Sequence, residues 1–183
     1  MLVLKHILPV LIGYLGISVI MDLDNLKILG FKATIDSVGE TLNQIDNIKK
    51  EGEIIQLLNA DAIAGSNHIV HGVNQAFLAF ERGENLAKDI SVEIVLRCSA
   101  QRQISKAFNI LGLKEGKMNL CAVLINCKDY TSQLSSIFTL DDSVLISDDE
   151  KLMEIYKISD IEVENMSLED IIIDRITKLT VDY

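Results

Sequence analysis

The sequence predicts an α/β fold of mixed α+β character, a single domain in which a small mixed sheet of about four strands packs with several helices. Short segments with apolar residues at alternate positions indicate strands, and segments with apolar residues three or four apart indicate helices. The two kinds do not alternate strictly along the chain, which favours a mixed arrangement over a regular doubly wound one. No linker, repeat or low-complexity run divides residues 22–183.

Four segments have the patterns of strands, and one more is ambiguous. In the first, residues 26–35, apolar positions alternate on either side of Gly30, so we expect a bulge at that glycine. The other predicted strands are residues 53–58, 118–126 and 143–146. Residues 90–98 fit a strand and a helix equally well.

The predicted helices are recognised by their apolar stripes and caps, and they span residues 37–50, 66–80, 101–111, 130–138, 147–157 and 167–179. Ser66 is expected to cap the second helix, and Ser147 with Glu150 to form a capping box on the fifth. In the third helix the stripe comprises Ile104, Ala107, Phe108 and Leu111, and Gly112 ends the helix.

The composition is that of an ordinary globular domain. Of 183 residues, 49% are hydrophobic, 24% are charged and only 5% are aromatic, so the core must consist mainly of Ile, Leu, Val and Ala. The three cysteines, Cys98, Cys121 and Cys127, form no CxxC pair. This usage predicts a reducing, cytoplasmic location in which the thiols act as small buried apolar groups.

The net charge of −10 argues against a protein that coats nucleic acid broadly. The charge is uneven, however. Residues 97–117 contain five cations and one anion, a net charge of +4. Residues 141–183 contain thirteen anions and four cations, a net charge of −9. Any RNA contact is therefore expected in the first stretch, and the second is either a solvated face or a surface for a basic protein partner.

The first twenty residues differ from the rest of the chain. No charge occurs from Ile7 to Met21, and Pro9 would interrupt a straight helix there. Three interpretations remain open: a membrane anchor, a buried N-terminal element, or an upstream start-site extension. The third treats residues 1–20 as dispensable and residues 21–183 as the domain. Without an anchor, no membrane association is expected.

No catalytic constellation is recognisable. The chain lacks a G-x-S-x-G elbow, a Walker A sequence and a G-x-G-x-x-G loop. His68 and His71 stand three apart and, with Asp61, are the only basis for a metal hydrolase. A structural role for the two histidines is the favoured interpretation. We therefore expect no enzyme activity, no cofactor and no metal.

The stretch from Arg97 to Ile104 has the composition of a binding site. Two arginines, two glutamines and a serine gather at the start of a predicted helix, where free backbone N–H groups attract phosphate. Arginine planes stack on unpaired bases, and glutamines bond base edges. The alternative is a solvated helix start with Ile104 as its core anchor.

Four blocks of the sequence resemble the Cgi-type subunit family of KEOPS tRNA-modification complexes, whose animal members are called PRPK-binding protein (TPRKB). Residues 97–104 match a pattern close to R-A-S-G-Q-R-Q-I, and residues 68–76 match H-V-L-H-A-I-N-Q-A. Residues 58–61 match L-N-A-D, and residues 141–145 match D-D-S-V-L. Two departures stand out, since Ala100 replaces a glycine and Gly72 replaces an alanine.

The resemblance implies a non-catalytic subunit of the complex that places a threonylcarbamoyl group on the tRNA adenosine next to the anticodon. Its implied partners are a kinase-like ATPase, through it the catalytic subunit, and the single-stranded CCA end of tRNA. The site would use Arg97 and Arg102 for phosphates or stacking, Ser99, Gln101 and Gln103 for base edges or sugars, and Lys106 as a further contact. The alternative is a scaffold that regulates the kinase-like protein without significant RNA binding.

Overall fold

An antiparallel sheet with strand order β2-β3-β1-β4 forms the centre of the computed structural model, which describes residues 26–181. Its strands are β1 (Leu26–Ile35), β2 (Ile54–Asn59), β3 (Gly116–Ile125) and β4 (Thr139–Leu140). The predicted α+β class and the four-stranded sheet are confirmed, and all three strand ladders among the described residues are antiparallel rather than mixed. The interpretations of residues 1–20 lie outside the described residues.

Helices cover both faces of this sheet. They are α1 (Val38–Ile48), α2 (Ser66–Arg82), α3 (Ile90–Cys98), α4 (Ile104–Leu111), α5 (Thr131–Ile137), α6 (Asp149–Tyr156), α7 (Asp160–Val163) and α8 (Leu168–Val181). The ambiguous segment 90–98 is helical, and Asp89 caps it by accepting from the N–H groups of Ser91 and Val92. Within residues 26–181, no helix combines the length and the apolar composition needed to cross a bilayer.

Two apolar cores lie on opposite faces of the sheet. One face packs against α2, α3, α4, α6 and α8, and the other packs against α1 and α5. Strand β3 is buried on both faces, since Cys121 and Val123 enter the first core while Leu120 and Ala122 enter the second. This double burial explains why β3 is a continuous apolar run in the sequence. Cys98 and Cys121 are buried as predicted, and Cys127 is half-buried.

The predicted bulge at Gly30 is absent. Strands β1 and β3 pair without interruption from Leu26 to Ile35, and Gly30 lies opposite Cys121. The glycine is needed for a different reason, because a Cβ at Gly30 would lie 2.7 Å from the Asp141 carbonyl oxygen. The close approach of a neighbouring backbone therefore explains this glycine.

The predicted strand at residues 143–146 was wrong, because a 3₁₀ helix, Asp142–Leu145, occupies that place. Asp142 Oδ1 accepts from the N–H of Gly30 at 2.8 Å, and the Gly30 carbonyl accepts from the N–H of Asp141 at 2.9 Å. β4 pairs with only two residues of β1, Phe31 and Lys32, and these bonds satisfy the backbone N–H and carbonyl of Gly30 next to them. The D-D-S-V-L block thus protects a sheet edge.

Two predicted caps were also wrong. Ser66 is the first residue of α2 rather than its cap, and Gly65 at the cap position has no side chain to donate or accept. The helix start is capped instead by Glu169 of α8, which accepts from the N–H of His68 at 3.0 Å. Helix α6 is capped by Asp148 rather than Ser147. Carboxylates at helix starts also complement the helix dipole, which explains their use here.

Candidate RNA-binding surface

Helix α3 ends in a tight left-handed turn that leads to the candidate site. The N–H of Gln101 donates to the Leu96 carbonyl at 3.0 Å, and the N–H of Ala100 donates to that of Arg97 at 2.9 Å. This pair of bonds is the Schellman arrangement, with Ala100 at the left-handed position and a φ of 52°. Glycine suits that conformation best, which explains why the resembling family pattern has glycine at this position.

Arg97 and Ser99 lie below this turn and are fully buried. The Arg97 Nε donates to Glu93 Oε1 at 2.7 Å, while Glu93 Oε2 accepts from the N–H groups of Leu86 and Ala87. Ser99 Oγ donates to the Leu96 carbonyl at 3.0 Å. These two side chains therefore have no surface to offer to RNA, and they hold the turn and the loop before α3 in place.

His68 supports the same turn from α2. Its Nδ1 accepts from the N–H of Ala64 at 3.1 Å, so its Nε2 carries the proton and donates to the Cys98 carbonyl at 2.6 Å. Burial lowers the pKa of His68 to about 4. Both ring nitrogens of a neutral, fully buried imidazole are thus engaged by backbone groups, which is a structural role.

The other residues of the hydrolase alternative are engaged elsewhere. His71 Nε2 bonds Thr177 Oγ1 at 2.9 Å, and Asp61 Oδ1 accepts from Asn119 Nδ2 at 2.9 Å. In the part of the chain that the structure describes, no group of three or more His, Cys, Asp or Glu residues could hold a metal ion. Metal-assisted hydrolysis therefore lacks a donor set there.

The remaining predicted site residues are accessible. Arg102, Gln103 and Lys106 are exposed, and Gln101 is half-buried. Arg102 Nη2 donates to the Leu179 carbonyl near the end of α8 at 2.9 Å, a favourable position for a cation. Gln103 precedes α4 without a side-chain cap. The N–H groups in the first turn of α4 are therefore open to an anion.

Sequence reasoning missed two members of this surface. Ile104 and Phe108, predicted to face the core, are 50% and 40% exposed, while Ala107 and Leu111 are buried. Helix α4 thus exposes two apolar side chains one turn apart on the same face of the helix. The spacing of Ile104 and Phe108, an apolar residue four positions before an aromatic one, does indicate an apolar stripe on the helix. The sequence does not tell which edge of that stripe faces the core and which edge faces the solvent.

We call this exposed area, formed by Gln101, Arg102, Gln103, Ile104, Lys106 and Phe108, the α4 surface. It combines cations, amides, an aromatic ring and uncapped N–H groups, the set of groups that holds single-stranded nucleic acid. The charge nearby is favourable as well. From Arg102 to Lys117 the exposed charged side chains are four cations and one anion, a net charge of +3.

Comparisons with known proteins agree with the predicted resemblance. A family model described as kinase binding protein CGI-121 matches residues 33–178. The regulatory protein Cgi121 of Methanocaldococcus jannaschii is 37% identical to this chain over 124 residues, which cover 63% of this chain and 77% of the relative. The matched range contains the whole α4 surface and most of the fold described above. The chain therefore belongs to the CGI-121 family of kinase-binding proteins.

Proposed function

We propose that this protein is a non-catalytic subunit that holds the single-stranded CCA end of tRNA on its α4 surface and binds a kinase-like ATPase. In that role it supports threonylcarbamoyl modification of the adenosine next to the anticodon, and it reaches the catalytic subunit through the ATPase. The kinase partner is supported by the family to which the chain belongs and by the name of the relative.

The observation that carries the RNA proposal is the exposure of Phe108 and Ile104 on α4, a helix that also carries the exposed Lys106 and begins two residues after the exposed Arg102. The exposed 40% of Phe108 contributes no packing within this chain, whereas an unpaired base stacked on that ring gains about 1–3 kcal/mol. The protein's net charge of −10 fits this mode of binding. A splayed single strand needs few phosphate contacts, whereas a duplex bound along its length needs many.

Arg97 and Ser99 enter this proposal as positioning residues rather than contacts, because they are buried. Direct contact is assigned to Arg102 and Lys106 for phosphate or stacking, and to Gln101 and Gln103 for base edges or sugars. Phe108 is added as a stacking platform.

The test is the affinity of the full chain for intact tRNA and for the same tRNA lacking its CCA end. We expect binding that is lost with the CCA end. Arg102→Ala should weaken binding by roughly 1–3 kcal/mol. Lys50→Ala removes a cation that follows α1, a helix on the other face of the sheet, and should leave the affinity unchanged. Thermal unfolding of each variant confirms that its fold is intact.

The opposite outcome supports the second candidate function. The residues after Asp141 are strongly acidic, which favours contact with protein over contact with RNA. Equal or absent binding to the two tRNAs, together with tight binding of the kinase-like ATPase, would identify a regulatory scaffold without RNA binding.

A further inference from the structure

A groove lies between α6, α7 and the start of α8, away from the α4 surface. Its volume is about 360 Å³, and its apolar lining comprises Ala64, Met153, Val163, Met166 and Leu168. Asp149 and Glu169 also line it. A groove of this size accommodates one or two large side chains of another protein.

Exposed apolar side chains are concentrated on the same elements. Ile146 is 78% exposed, Ile161 is 74% exposed and Met166 is 44% exposed. Met166 lines the groove directly, while Ile146 precedes Ser147, which lines it, and Ile161 lies on α7 with Val163. Ile146 and Ile161 are the two most exposed large apolar residues in the described part of the chain. Such a grouping marks an interaction surface.

The surroundings of the groove are strongly acidic. Residues 146–170 contain nine carboxylates and two lysines, a net charge of −7. Five of these carboxylates are exposed and have no ion pair or side-chain hydrogen bond with any described residue, namely Asp149, Glu150, Glu154, Asp160 and Glu164. RNA is repelled by this charge, and a basic protein surface is attracted by it.

The walls of the groove are held in place before any partner binds. Arg175 of α8 donates to the Tyr156 carbonyl at 2.6 Å and to Glu162 Oε1 at 2.8 Å, so one guanidinium joins α6, α7 and α8. Tyr156 in turn donates its hydroxyl to the Ala62 carbonyl at 2.9 Å. A partner that docks there loses little free energy to ordering this surface.

We propose that this acidic groove is the docking surface for the kinase-like partner, which inserts an apolar side chain carried on a basic element. This inference rests on the proposed function, and it assigns the kinase and the tRNA to different ends of one helix. The start of α8 lines the groove, and the Leu179 carbonyl near its other end accepts from Arg102 of the α4 surface. The eleven helical steps from Leu168 to Leu179 span about 16 Å, so both ligands can be held at once.

The experiment measures binding of the full chain to the purified kinase-like ATPase of the same organism by titration calorimetry. Met166→Glu and Ile146→Glu place a further negative charge on an acidic apolar surface, and each is expected to weaken binding tenfold or more. Leu42→Glu is the matched control for Met166→Glu, because Leu42 is 45% exposed and Met166 is 44% exposed, but Leu42 lies on α1 over the other core. We expect it to bind like the wild type. Added NaCl should weaken wild-type binding, and tRNA affinity should be unchanged in all three variants.

Each contrary result has a separate meaning. If the wild type does not bind the kinase, the proposed function fails. If the wild type binds and the groove variants bind equally well, or if Leu42→Glu is just as damaging, the groove is not the docking surface. Loss of tRNA binding in Met166→Glu would assign the groove to RNA, and a dimer that this variant dissociates would assign it to a second copy of the chain. Either result overturns the proposal.

Discussion

Gly72 of α2 packs directly against Cys98 at the end of α3. A Cβ on Gly72 would overlap the Cys98 sulfur and would lie 3.0 Å from the Cys98 Cα. Gly72 and Cys98 lie 26 positions apart in sequence, and the absence of a Cβ on Gly72 leaves room for the Cys98 sulfur.

Gly72→Ala is therefore expected to destabilise the protein by about 1–3 kcal/mol through overpacking. Combining it with Cys98→Ala should recover part of that loss, because the sulfur is then absent although the backbone contact remains. Urea unfolding of the single and double variants gives the coupling energy. Strictly additive effects would contradict the packing described here.

Ala100→Gly is expected to stabilise the protein. Ala100 has a φ of 52°, a left-handed conformation that costs a residue with a Cβ about 1 kcal/mol relative to glycine, offset in part by the greater entropy of unfolded glycine. The net gain is therefore less than about 1 kcal/mol, which raises the melting temperature by at most about 2–4 °C for a chain of this size. Ala100→Val is the opposing control and should lower it. A glycine variant with a lower melting temperature would disprove the strain.

Acidification should destabilise the protein through His68. Its pKa of about 4 in the folded state lies below the unfolded value of 6.5, so protonation favours the unfolded chain. The contribution of neutral His68 is therefore complete above about pH 6.5 and is lost as the pH falls to about 4. It amounts to about 3 kcal/mol. Urea unfolding across this range should show a smaller loss for His68→Gln than for the wild type, and parallel losses would refute the assignment.

Removing the Glu169 carboxylate should destabilise the protein, because this side chain caps α2 although it lies about 100 residues from α2 in sequence. Glu169 accepts from the N–H of His68, so Glu169→Ala is expected to lower the free energy of unfolding by about 0.5–2 kcal/mol. Glu154→Ala removes an exposed carboxylate without a described partner and serves as the control. Equal stability of the two variants would show that the cap contributes nothing.

The salt dependence of tRNA binding should be shallow. If Arg102 and Lys106 are the phosphate contacts, the logarithm of the association constant should fall with the logarithm of salt concentration with a slope of about −1.4, since each contact on a single strand contributes about −0.7. Lys106→Ala should reduce the magnitude by about 0.7. A slope steeper than about −4 in the wild type would instead indicate a broad duplex contact.

Stacking on α4 is tested separately from charge. Phe108→Leu keeps an apolar side chain on the exposed face of the helix but removes the ring, so it should weaken binding of the CCA end by about 1–3 kcal/mol. The same variant should leave kinase binding unchanged. Wild-type tRNA affinity in Phe108→Leu would exclude the ring as a stacking platform.

The sequence by itself determined the α+β class, the limits of β1 and β3 within two residues, the family, and the location of the basic stretch. Local periodicity and charge order are properties of the chain, and they survive folding unchanged. Tertiary structure decided the contacts between residues distant in sequence, which periodicity does not predict. Glu169, distant in sequence, caps α2, and Asp142 turns an apolar run into an edge-sealing 3₁₀ helix. Packing between the helices likewise buries Arg97 and leaves Phe108 partly exposed. The side of a helix that faces the core depends on the elements packed against it and not only on its own residues.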